Sequence, residues 1–115
     1  MEYKMRLHND PFIKIKSGTK IVELRLNDEK RSILKIGDTI EFTNRSTDEK
    51  ILVDIVDLKK YKSFEELYKY FNKIEMGYNE DEEANPKDME EYYSKEEQEK
   101  YGVVGIRVEV EKVVL

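Results

Sequence analysis

The sequence predicts an α+β domain built round a small, mostly antiparallel β-sheet or barrel. Apolar residues alternate with polar ones, at the period of a strand, in five separate stretches. Helix-capping patterns occupy the intervals between them. With 115 residues the chain has room for one core and one domain.

Taken in order, YKMRLH (3–8) reads as a short strand. NDPFIKIKSG follows with Asp10 as N-cap, Pro11 at the first helical position and Gly18 as a left-handed stop, so a short helix is expected with Phe12 and Ile15 inward. IVELRLN alternates, placing Val22, Leu24 and Leu26 on one face and Ile21, Glu23 and Arg25 on the other. A connection ends in the Gly37-Asp38 turn. TIEFTN, with Ile40 and Phe42 inward, and ILVDIVDLKKY, across the polar turn 45–50, read as a hairpin. Ser63-Phe64-Glu65-Glu66 is a capping box, and Phe64, Leu67, Tyr68 and Phe71 recur at helical spacing. GYNEDEEAN is a loop. Asn85-Pro86 opens another helix, with Met89, Tyr92 and Tyr93 on one side, which breaks and restarts at the box Ser94–Glu97 and ends at Gly102. VVGIRVEVEKV closes the chain as a strand with Ile106, Val108 and Val110 inward.

Composition narrows the functional classes. There is no cysteine, so disulfides and thiolate metal sites are excluded and a reducing, cytoplasmic location is expected. Neither a signal peptide nor an 18-residue apolar span is present, so no membrane partner is expected. A single histidine, His8, rules out a multi-histidine metal site. The acidic run Glu80–Glu83 lacks the ligand pattern of a calcium loop, so neither metal nor cofactor is expected. The net charge of −5 conceals an asymmetry. Eleven acids and two lysines between Glu75 and Glu99 give −9, so the remainder carries +4, the difference from −5. Acid confined to one segment leaves the rest able to meet an anion.

The stretch SGTKIVELR (17–25) gathers Lys20, Glu23 and Arg25 where a turn becomes a strand. One reading is a solvated face whose Glu–Arg pair contributes well under about 1 kcal/mol. The other is a ligand site in which Gly18, without a Cβ, lets the backbone approach. Lys20 would there offer a point charge, Arg25 an anion clamp and Glu23 an acceptor for a base-edge or hydroxyl proton. On either reading of the cluster, truncating Lys20 to alanine is expected to change stability by no more than about 0.5 kcal/mol. Tyr78, on the predicted loop, is the best candidate for stacking a base.

Gly18-x-Lys20-x-x-Glu23-x-Arg25 resembles the GxKxxExR signature of the ASCH domain, the activating-signal-cointegrator homology family, related to the PUA RNA-binding domains. The likeness extends to the preceding short helix, to the turn Lys35-Ile36-Gly37-Asp38 and to YYSKEEQEKYGVVGI before the last strand. It covers nearly the whole chain, so 1–115 reads as a single ASCH domain. The resemblance implies a PUA-like, mostly antiparallel β-barrel with flanking short helices and a cleft lined by Gly18, Lys20, Glu23 and Arg25. It also implies binding of single-stranded RNA, a nucleotide or a nucleoside by a monomer or weak dimer. One branch of the family hydrolyses the acetyl amide of N4-acetylcytidine with a lysine, a threonine and a later glutamate. Lys20 matches the lysine, Glu23 stands where the threonine falls, and Glu75 lies at about the right distance for the glutamate. Three readings follow: a nucleotide- or RNA-binding module, a small hydrolase with Lys20 and Glu23 as the reactive pair, and a protein-interaction domain using the acidic segment 75–99.

Overall fold

Five strands form one sheet in the order β1-β3-β4-β5-β2 in the computed structural model, which describes residues 1–114. The elements run β1 Glu2–Leu7, α1 Asn9–Ser17, β2 Val22–Leu26, β3 Thr39–Asn44 and β4 Lys50–Tyr61. They continue with α2 Phe64–Leu67, α3 Lys73–Met76, a 3-10 helix Pro86–Glu91, α4 Lys95–Tyr101 and β5 Val103–Val114. β1 pairs parallel with β3, and every other neighbouring pair is antiparallel. No helix among the described residues is long and apolar enough to cross a membrane.

The sheet is not closed into a barrel. β1 and β2 are its two edges and share no ladder among the described residues. They nevertheless approach, because the long β4–β5 ribbon carries two register shifts, leaving Val56 and Glu111 unopposed. Such bulges bend and twist a ribbon. At the resulting seam the Arg25 guanidinium on β2 donates to the Arg6 carbonyl on β1 at 3.1 Å. A side chain therefore spans the gap where the resemblance implied continuous strand pairing.

Two cores lie against this curled sheet. Phe12 and Ile15 of α1 pack with Leu7, Ile40, Phe42, Ile55 and Val108. Val22, Leu24 and Leu26 of β2 pack with Phe64, Leu67 and Met76 from the helical segment. The alternation in β2 is thus real, but its second face is also covered: Glu23 is buried and Arg25 half-buried.

Several local expectations need correction. His8, not Asp10, is the N-cap of α1, since its carbonyl accepts from Phe12 N at 3.1 Å. Pro11 falls at the third helical position, still within the first turn, where its missing N–H costs nothing. The helix expected over 64–71 is a single turn, α2, followed by turn bonds to Lys69 and Tyr70. The stretch after Asn85 is 3-10, not α. Val110 is 38% exposed rather than inward, beside the Glu111 bulge. The box at Ser94 forms as expected, Ser94 Oγ accepting from Glu97 N and Glu97 accepting from Ser94 N.

Candidate functional site

Gly18 ends α1 in the left-handed conformation, φ +84°. This stop lets the amides of Thr19 and Lys20 both donate to Lys14 O, at 2.9 and 3.0 Å, and feeds the chain into β2. Lys20 is consequently held beneath α3, and only 7% of it is exposed. Three successive carbonyls at the end of α3 are captured from this side. Glu75 O accepts from Ile21 N at 3.0 Å, Met76 O from Lys20 Nζ at 2.8 Å, and Gly77 O from Lys14 Nζ at 2.8 Å. Gly77 is what allows this approach. Its φ is +108°, and a Cβ there would lie 2.9 Å from Lys20 Cδ.

The Glu23 carboxylate sits between two cations. Its Oε1 is 3.3 Å from Lys20 Nζ, and its Oε2 accepts from Arg25 Nε at 2.8 Å. Burial pushes the carboxyl upward, but the charges of Arg25 and Lys20 together with their hydrogen bonds outweigh it, and Glu23 is held below the usual carboxylate range. Burial pulls Arg25 down, and Glu23 and Tyr93 more than restore it, so the guanidinium is held above its ordinary value. Both oxygens of Glu23 are therefore engaged, and the three side chains form a fixed triad with a net charge of +1.

The triad forms the floor of a cleft of about 390 Å³, inside the range of about 300–1,000 Å³ usual for small-ligand sites. Tyr68, Tyr78, Tyr92 and Tyr93 supply aromatic walls. Tyr68 and Tyr78 share a hydroxyl–hydroxyl bond of 2.8 Å, and the Tyr78 hydroxyl lies 2.7 Å from Asp88 Oδ2. A carboxylate is the stronger acceptor, so Tyr78 donates to Asp88 and accepts from Tyr68. Burial first, and then the bond donated to the Asp88 carboxylate, push the Tyr78 hydroxyl well above the phenol range. Glu82, Asp88 and Glu91 bring carboxylates to the cleft, and Arg6 and Arg45 bring guanidiniums.

Lys20, Glu23, Arg25 and Tyr78, all singled out by the sequence, thus meet in one cleft. Gly18 does not line it: it is exposed, with open space around it, and its task is to stop α1. Glu75 does not reach it either. Its carboxylate lies 3.3 Å from Arg107, and its carbonyl is the part that serves the site. Lys20 is buried, so the solvated-face reading of the cluster does not hold. Sequence reasoning missed Gly77, Lys14, Arg6 and Asp88, and drew only Glu75 and Tyr78 from the acidic segment, whose Glu82, Asp88 and Glu91 also line the cleft. A glycine directly after a short helix ending in Met76 was the one available signal for Gly77. No group of three or more metal-ligating side chains is arranged to hold an ion among the described residues.

A curled, mostly antiparallel sheet with short helices and a cleft at its seam defines an α+β domain of PUA-like fold. The chain belongs to the ASCH domain family, whose profile matches residues 5–112. The crystal structure of the hypothetical protein PH0355 superposes with a TM-score of 0.81 at 29% identity, covering 96% of this chain and 99% of that one. The solution structure of protein PF0455 from Pyrococcus furiosus gives 0.74 at 30% identity, covering 97% and 99%. An S128A mutant of the ASCH protein of Zymomonas mobilis shares the fold, with a TM-score of 0.70 at 14% identity, covering 98% of this chain and 72% of that one. No curated protein matches the sequence.

Proposed function

We propose that this ASCH domain binds RNA or a nucleotide, holding one nucleotide unit in the cleft at the seam, as a monomer or weak dimer and without a cofactor. One observation carries the reading: Lys20 and Glu23, both buried, and the half-buried Arg25 converge, mutually fixed, on a cleft of ligand size walled by tyrosines. Fixed polar groups beside aromatic faces suit a base, which needs both edge contacts and stacking. Family membership supports the same reading, since ASCH domains are generally RNA-binding.

Hydrolysis has less support. Glu23 is held ionised by two cations, which weakens it as a proton acceptor. A carboxylate also cannot stand in kind for a hydroxyl nucleophile. The expected third member, Glu75, faces Arg107. Of the eleven acids in the segment 75–99, Glu82, Asp88 and Glu91 line the cleft, which ties part of that segment to the site.

Titration calorimetry with nucleosides and nucleoside monophosphates, and fluorescence anisotropy with short labelled single-stranded RNAs, test the proposal. Micromolar to millimolar binding at low salt, weakened at least tenfold in a folded Arg25→Met variant, is the expected result. Absence of binding to every nucleoside, nucleotide and short strand at low salt would overturn it.

A further inference from the structure

The signature cations are poor phosphate ligands as they stand. Lys20 is shared between Met76 O and Glu23, and Arg25 between Glu23 and Arg6 O. The cleft holds two further cations in a different state. Arg6 lies on β1 and Arg45 directly follows β3, and β1 and β3 run parallel with Leu7 opposite Asn44. Arg45 N donates to Leu7 O at 2.8 Å, so the two arginines stand at neighbouring strand ends. Both side chains are exposed, both line the cleft, and neither has a carboxylate within salt-bridge distance among the described residues. Asp10, which also lines the cleft, is paired with Lys14 at 3.0 Å.

The other carboxylates, Glu82, Asp88 and Glu91, enter the cleft from the segment between α3 and α4. A strand of phosphates threaded along the whole cleft would meet them and be repelled. A ligand with one anionic end would instead turn that end toward Arg6 and Arg45. Its hydrogen-bond donors would then face the carboxylates.

We propose that Arg6 and Arg45 form a phosphate subsite that orients a nucleotide, or the terminal nucleotide of a single strand, in the cleft. This deepens the binding reading above and rests on it. Guanidiniums suit the role because they present paired donors to phosphate oxygens.

Competition titrations decide it, with the four nucleosides and their 5′-monophosphates displacing a labelled single-stranded RNA hexamer at three salt concentrations. Wild-type protein is expected to bind monophosphates about tenfold more tightly than nucleosides, the scale of one charged hydrogen-bond contact. Arg6→Ala and Arg45→Ala should each remove most of that advantage, leave nucleoside affinity within about twofold, and reduce the salt slope for the hexamer by roughly 0.7. Lys4→Ala, which removes an exposed cation of the same strand outside the cleft, should change neither quantity. Melting temperatures check that the variants fold. Equal binding of nucleosides and monophosphates by the wild type would overturn the phosphate subsite while leaving the binding function intact. So would variants that lose both ligands equally, or neither. Wild-type protein that binds none of these ligands would overturn both.

Discussion

Replacing Lys20 with methionine keeps most of the stem that packs against Gly77 and removes only the ammonium. The structure sets the cost. The bond to Met76 O at 2.8 Å is lost, and a hydrogen bond from a charged donor contributes about 1.5–3 kcal/mol. Glu23 loses one of two cations but keeps its 2.8 Å bond to Arg25. The penalty of about 3–5 kcal/mol for stranding a buried charge is therefore not reached. We expect Lys20→Met to cost about 2–3 kcal/mol. Glu23→Gln leaves Lys20 and Arg25 without their shared counter-charge, and should cost about 3–5 kcal/mol. The double variant should lose at least about 1 kcal/mol less than the two singles together, because Glu23→Gln leaves unpaired the ammonium that Lys20→Met removes. Urea unfolding followed by circular dichroism measures all three, and an unchanged m-value keeps the comparison valid. A Lys20→Met variant within about 0.5 kcal/mol of wild type, the scale of an ordinary surface change, would refute the argument. Strict additivity would refute it as well.

The remaining expectations are briefer. Gly77→Ala combines a left-handed backbone with a Cβ 2.9 Å from Lys20, whereas Gly18→Ala meets only open space, so the first should exceed the second in cost by at least about 1 kcal/mol in the same urea assay; equal costs would mean that Lys20 moves aside freely. Glu23 is depressed in the folded state, so its contribution is present above the ordinary value of 4.5 and is lost as pH falls from there through the lower folded value. Acid unfolding scans should show that loss in wild type and not in Glu23→Gln. Asp38, also lowered by its bond to the N-terminus, is controlled with Asp38→Asn. A parallel fall of wild type and Glu23→Gln would show that another group titrates. Leu24→Ala should cost about 2–5 kcal/mol by opening a cavity in the second core, read from the shift in melting temperature. Purified protein incubated with N4-acetylcytidine should release little or no cytidine by chromatography; rapid release abolished in Lys20→Met would put the hydrolase reading first.

What the sequence could convey was local. Strand alternation, the caps at Ser63, Asn85 and Ser94, and the Gly18 stop are written in residues a few positions apart, and they place every strand and most helices. The Lys20–Glu23–Arg25 cluster was visible for the same reason. Its burial was not, because that depends on α3 arriving from more than fifty residues away. Glu75 shows the limit well. Sequence distance put a carboxylate near the site, but the turn of α3 directs the side chain to Arg107 and the carbonyl to Ile21. Arg6 and Arg45 are thirty-nine positions apart with no motif between them, and only the parallel pairing of β1 with β3 makes them neighbours. The open seam was equally hidden, since it depends on how far the bulged β4–β5 ribbon curls, which brings together edge strands distant in sequence.

The three carbonyls gripped at the end of α3 have a consequence for how the molecule comes together in time. Their partners lie 54 to 63 positions earlier in the chain, so each grip closes a loop of that length. Closing such loops costs chain entropy before any contact forms, and contacts between distant segments slow folding. The hairpin of β3 and β4 can form early. The seating of α3 on Lys14, Lys20 and Ile21 is expected late, since it joins segments more than fifty positions apart. The same segment is then the natural first place to open. Release of residues 75–77 would dissolve the cleft while the β3–β4–β5 ladders persist, a partial unfolding that amide exchange would report as faster exchange at Ile21 than at the centre of β4. The cleft would be gone in that state well before the protein itself is denatured.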